Sequence, residues 1–219
     1  MIGHESFFSS KGKSLYLKEK RGNAAVLFKL GMTGMFQITE LTKEVIDKHA
    51  FITFEFEKIR VYYLDFRRFG RVTLFSDVNL ELAGFDGDQF YTVTESEIKK
   101  MIPQLKGWQK QPKITWLLKH GTRTGTGNYL ANEALGRLNL NPFTPCGNEK
   151  ECIALLKKVA EVATESYEHG GNSFKGGYYR LTGERGEYFK YCQFYRNSKI
   201  PSYSFRGRPI YTLFHPPED

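Results

Sequence analysis

Apolar and polar residues in the first third of the chain follow the period of strands. In Phe51-Ile52-Thr53-Phe54-Glu55-Phe56-Glu57 they partly alternate, as in a strand with one packed face and one wet face. Segments 14–17, 24–29, 60–64 and 71–75 are likewise short, rich in aromatic and β-branched residues, and bounded by Gly or Asp. Together they predict an antiparallel sheet or sandwich. From Thr94 the period becomes helical. Thr94 with Glu97 forms a capping box ahead of Ile98, Met101 and Ile102. Pro112 suits the first turn of a helix running to Lys119. A third helix is predicted over 128–138, stopped before Pro142. A fourth starts at Asn148 with Glu151, carries the stripe Cys152, Leu155, Leu156, Val159, Val162 and Ala163, and ends at Gly170-Gly171. Beyond these glycines the chain is dense in Gly, Tyr, Phe and Arg. Strands are predicted again over 188–195 and 209–213.

The pattern reads as an α+β chain in three parts: a β-sandwich domain over 1–88, a helical domain over 89–171, and a basic hairpin module over 172–219. A chain of 219 residues can build such cores without disulfides or metals. Lysine and arginine number 32 against 24 acids, a net charge of +8, which suits a polyanionic partner such as nucleic acid or an anionic membrane. The longest apolar runs, such as 24–28, fall far short of the roughly 20 residues of a membrane span, and no signal-like block follows Met1, so a membrane is not expected. Three cysteines, with no paired Cys-x-x-Cys, predict a reducing intracellular compartment, cytoplasm or nucleus. Cys146, Cys152 and His169 fit no common zinc spacing, and Cys152 falls on the apolar helix face; no metal or other cofactor is expected.

Candidate chemistry concentrates in a few strings. In Gly125-Thr126-Gly127-Asn128-Tyr129-Leu130-Ala131-Asn132-Glu133-Ala134-Leu135 a glycine loop opens onto a helix, a place where free backbone N–H groups attract phosphate; an ordinary tight connection would look the same. Leu64-Asp65-Phe66-Arg67-Arg68-Phe69-Gly70 is a turn presenting two guanidinium groups and an aromatic ring, and reads either as a solvated hairpin or as a wedge for a nucleic-acid stack. In Leu30-Gly31-Met32-Thr33-Gly34 a methionine sits near two glycines, in a sheet corner or exposed. Lys13 precedes a strand, and Gly207-Arg208 lies in the last basic stretch.

Taken in order, these strings resemble those of the formamidopyrimidine-DNA glycosylase / endonuclease VIII family and span nearly the whole chain. The resemblance implies a helix-two-turn-helix motif at 125–135 and a β-hairpin finger of the zinc-less type at the C-terminus. Lys13, Gly125, Gly127, Asn128 and Arg208 would bind backbone phosphates, with Arg208 reaching in from the finger tip. Met32, Arg67 and Phe69 would fill the void left by a flipped nucleotide. Gly170-Gly171-Asn172-Ser173-Phe174 is similar to the segment leading into the family's lesion-covering loop. The implied function is base-excision repair of oxidised bases or abasic sites in double-stranded DNA by a monomeric glycosylase with AP lyase activity. That chemistry uses an N-terminal Pro-Glu pair, the proline amine forming a Schiff base. The sequence here begins Met1-Ile2-Gly3-His4-Glu5, so the expectation is an amino-terminally shortened sandwich with an unpaired edge and no catalytic residue of its own; Lys13 or the Met1 α-amine would be the only amines at hand. A start site further upstream would restore a full enzyme. The alternative from another class is a non-catalytic helix-two-turn-helix scaffold on nucleic acid. One departure falls at Lys119-His120, where the family commonly carries Asp or Asn followed by Gln.

Overall fold

A computed structural model describes residues 5–20, 24–31, 34–42, 49–75, 93–171 and 186–217. The chain is α+β. Among the described residues its first part holds seven strands: β1 (Ser6–Lys11), β2 (Ser14–Glu19), β3 (Ala25–Lys29), β4 (Gly34–Glu40), β5 (Ala50–Glu55), β6 (Ile59–Asp65) and β7 (Arg71–Phe75). They form two antiparallel sheets, ordered β1-β2-β3-β7 and β4-β6-β5. In β5 the alternation holds: Ile52 and Phe54 turn towards the protein, while Phe51, Thr53 and Glu55 face solvent. The central strand β6 is buried from Val61 to Asp65. The sheets meet through aromatic rings, with fully buried Phe28 lying 5.0 Å from Phe36, 5.8 Å from Phe54 and 5.4 Å from Tyr63. Strands β1 and β4 were not expected from the sequence. Their apolar residues do not alternate cleanly, and pairing to β2 and β6 decides their conformation. Phe7 and Phe8 on β1 and Leu74 on β7, both edge strands of the larger sheet, stay exposed.

The second part holds α1 (Glu95–Met101), α2 (Lys113–Lys119), α3 (Gly121–Thr124), α4 (Asn128–Arg137) and α5 (Glu149–Glu168). The Thr94 and Glu97 capping box is present, and Asn148 accepts the Glu151 amide at 2.9 Å. Pro112 stands one residue before α2 rather than inside it. The core gathers Trp116, Leu117, Leu135, Leu155, Val159 and Tyr188, and the Trp116 indole N–H donates to the Leu105 carbonyl. No helix among the described residues is long and apolar enough to cross a membrane.

The C-terminal part departs from the sequence expectation in one respect. Residues 188–195 are not a strand: Tyr188–Lys190 is a single 3-10 turn and the chain beyond it is irregular. The reason is Glu133. Its carboxylate, fully buried on α4, accepts the backbone amides of Gln193, Phe194 and Tyr195 at 2.6 to 3.0 Å, so these amides are spent on a side chain rather than a ladder. The hairpin is present as β8 (Ser202–Phe205) and β9 (Arg208–Tyr211). Arg206 and Gly207, both at positive φ (49° and 73°), make its two-residue turn. Arg208 is therefore the first residue of the returning strand, one step past the turn. Ile210 of β9 enters the helical core, which docks the hairpin on the helices.

Candidate nucleic-acid interface

The glycine loop is shaped by backbone crowding. Helix α3 closes at Gly125, left-handed at φ 71°, with open space where a side chain would stand. The buried hydroxyls of Thr124 and Thr126 bond each other at 2.7 Å, and the Thr126 carbonyl lies 2.3 Å from where a Cβ on Gly121 would be. The sequence reading placed a plain loop here; a short helix packs against it instead. Gly127 enters α4 in an extended conformation, and no side chain caps the first turn. The leading amides of α4 thus keep their capacity to bind an anion.

Asn128 opens α4. Its Nδ2 donates to the Pro209 carbonyl at 3.1 Å, and its buried Oδ1 has no hydrogen-bond partner among the described residues. One turn on, Asn132 accepts the Tyr211 amide at 2.6 Å and donates to the Asn128 carbonyl at 2.7 Å. These bonds stitch β9 to α4 and set Arg208, next to Pro209, beside the glycine loop. Lys13 arrives from the opposite end of the chain, on the β1–β2 turn made by Gly12 at φ 56°. As a residue Lys13 is exposed, but its ammonium end is crowded: Nζ lies 3.2 Å and 3.8 Å from the Cβ positions of Gly121 and Gly127. Burial of that end, and then repulsion from Arg208, hold its pKa below the ordinary lysine range. Among the described residues neither Lys13 nor Arg208 is in an ion pair. Two cations, an asparagine and uncapped helix amides converge on one spot, an arrangement that suits an oxyanion.

The arginine turn is built equally tightly. Asp65, buried at the end of β6, accepts the Gly70 amide at 2.7 Å and the Arg67 amide at 3.3 Å. Arg68 takes φ 56°, which lifts the turn outward. The Arg67 guanidinium stacks 4.6 Å above the Phe69 ring, and Phe69 is 58% exposed. Gly31, at φ 62°, presses against the Phe69 carbonyl, where a Cβ would come within 2.8 Å. Met32, the third expected member, lies outside the described residues, as does the 172–174 segment. A groove of about 450 Å³ runs between the Lys13 turn and the end of β3, lined by Lys13, Ser14, Lys29, Leu30 and Gly31 among others. Replacing Gly31 by alanine is expected to displace the Phe69 turn. Preference for abasic over undamaged DNA should then fall while affinity for undamaged duplex holds, and an unchanged preference in a competition assay would show that the turn is not set by Gly31.

Sequence reasoning gave no role to Glu133, Asn132 or Arg137. Glu133 binds three amides as well as Arg137, which also reaches Glu165 and the Tyr188 hydroxyl. The signal in the sequence was an acid with an arginine four residues on, in a helix otherwise rich in Ala and Leu.

The formamidopyrimidine-DNA glycosylase N-terminal domain profile matches residues 7–72. The formamidopyrimidine-DNA glycosylase of Caulobacter vibrioides is 33% identical over 170 residues, covering 71% of this chain and 59% of the relative. Over most of its length the chain is similar to the formamidopyrimidine-DNA glycosylase family. It spans about six tenths of the length of this relative, and the Deinococcus radiodurans family member is 29% identical over 196 residues, covering 80% of this chain and 65% of that protein. The MutM (Fpg) structure from Thermus thermophilus superposes with a TM-score of 0.74 at 24% identity, covering 96% of this chain and 82% of that one. A Lactococcus lactis Fpg in complex with Fapy-dG-containing DNA superposes at 0.67 and 20% identity, covering 96% and 81%. These two superpositions establish the shared fold.

Proposed function

We propose that this chain recognises oxidised bases or abasic sites in double-stranded DNA, as a monomer, in the base-excision repair of the intracellular compartment that holds that DNA. Backbone phosphates beside the lesion sit on Lys13, Asn128, Arg208 and the amides from Gly125 to Asn128. Arg67 and Phe69, with Met32, occupy the gap left by the rotated nucleotide. The observation that carries the reading is the meeting of Lys13 with Gly127, Asn128 and Arg208, brought together from three parts of the fold without a carboxylate partner among the described residues. The family chemistry, cleavage of the glycosidic bond and strand breakage through a Schiff base, is assigned to none of the described side chains.

The test is borohydride trapping and binding on a duplex with one abasic site, against undamaged duplex and single-stranded RNA. Covalent trapping makes this chain a lyase in its own right, and peptide mapping names the amine. Selective binding without trapping makes damage recognition the activity of this stretch. Equal binding to all three overturns the repair reading in favour of a general nucleic-acid scaffold. Within the same assay, Arg67→Ala and Phe69→Ala are expected to cost roughly tenfold each in abasic preference, the scale of one stacked aromatic contact, and to leave affinity for undamaged duplex unchanged. The scaffold alternative requires no effect from either.

A further inference from the structure

A second groove, of about 280 Å³, lies between α2 and the hairpin, with Arg208 in its lining. Ile114, Leu118 and Ile210 floor it, and Lys119, Arg206 and Arg208 supply its charge; none of the residues lining it is acidic. Arg206 belongs to the hairpin turn, where φ 49° fixes its backbone, and its guanidinium lies 5.6 Å from the centroid of the Phe205 ring. That ring is itself braced edge-on by Phe143 at 5.2 Å, so the guanidinium sits over a fixed platform. Lys119 ends α2, where the family commonly carries an acid or its amide. Among the described residues neither Lys119 nor Arg206 is in an ion pair. Three cations around one concavity repel each other until an anion arrives. Arg208 lines this groove and also stands beside Lys13, so the groove continues the phosphate site.

We propose that the groove holds one further backbone phosphate of the strand gripped by Lys13, Asn128 and Arg208, with Lys119 and Arg206 as its cations. The phosphate is placed between a helix end and a hairpin tip, in a groove whose lining includes no residue of the arginine turn, so it adds affinity without adding damage selectivity. This inference rests on the DNA-binding reading above.

Both side chains are exposed, so the double variant Lys119→Ala/Arg206→Ala keeps the core intact. The experiment measures the slope of log affinity against log salt for the full chain on an abasic duplex and on an undamaged duplex of the same length. Loss of one phosphate contact lowers the magnitude of the slope by about 0.9 on both duplexes, with the abasic-to-undamaged ratio unchanged. A scan with single neutral methylphosphonate linkages then identifies one position at which wild type and variant bind alike. An unchanged slope overturns the proposal, and so does a changed ratio, which would place these side chains at the lesion. Wild type without abasic preference would sink the repair reading, while the difference in slope between wild type and variant would still decide the groove.

Discussion

Replacing Glu133 by glutamine is expected to destabilise the protein by about 3 kcal/mol, the scale set by breaking a buried charge pair and stranding buried donors. For a chain of this size that lowers the melting temperature by roughly 6–12 °C. The carboxylate accepts the amides of Gln193, Phe194 and Tyr195 and pairs with Arg137, all in a site it shares with no solvent. Glutamine keeps the volume but turns a donor towards three donors. The lost bonds are those that hold the C-terminal module to α4, so the variant should also become sensitive to protease in the chain after Tyr191 at temperatures where α4 and α5 are still folded. Thermal unfolding with limited proteolysis on the same samples checks both parts. A melting temperature within a degree of wild type would mean that the three amides find other partners and that Glu133 does not organise the module. Gly136, one turn along, leaves room for the Phe194 ring, since a Cβ there would come within 2.2 Å of it. Docking of the 193–195 stretch is thus shaped by one acid and one glycine on α4, beside the Asn128 and Asn132 bonds that hold β9.

How much of this was legible in the sequence depends on the range of the forces involved. Local chemistry was readable: the Thr94 and Asn148 caps are satisfied by residues three positions away, and the stripe on α5 needs only the helical period. The glycine loop and the arginine turn were readable as strings because their conformations are set by neighbours, Asp65 closing one and Gly125 the other. Residues 188–195 misled because their aromatic composition suggests a ladder, whereas their amides are claimed by a side chain some sixty positions earlier in the sequence. Strand β4 was missed for the converse reason, since it takes its conformation from β6 rather than from its own residues. The meeting of Lys13 with Arg208 was also invisible to pattern. It depends on Asn128 and Asn132 fastening β9 to α4, and on Gly121 and Gly127 leaving space for a lysine from the β1–β2 turn.

Lys13→Ala is expected to cost ten- to a hundredfold in DNA affinity, the worth of one charge-assisted hydrogen bond at about 1.5–3 kcal/mol. The loss should be equal on damaged and undamaged duplex, because a backbone phosphate carries no information about the base. The pH dependence is the sharper test. In the free protein the Lys13 ammonium is held below the ordinary lysine range by burial of its end and then by Arg208. A bound phosphate adds negative charge beside it and raises that pKa again. Affinity is therefore full below the free-state pKa and falls as pH rises through it, with a proton taken up on binding in the window between the two values. Lys13→Arg keeps the charge throughout that range, so it should retain much of the affinity and remove the alkaline decline, whereas Lys13→Ala should remove the decline by removing the contact. Titrating affinity from neutral to alkaline pH for the three proteins separates these outcomes. A wild-type curve as flat as that of Lys13→Arg would mean that Lys13 stays protonated throughout or stands away from the phosphate, and the affinity of Lys13→Ala at neutral pH would tell which.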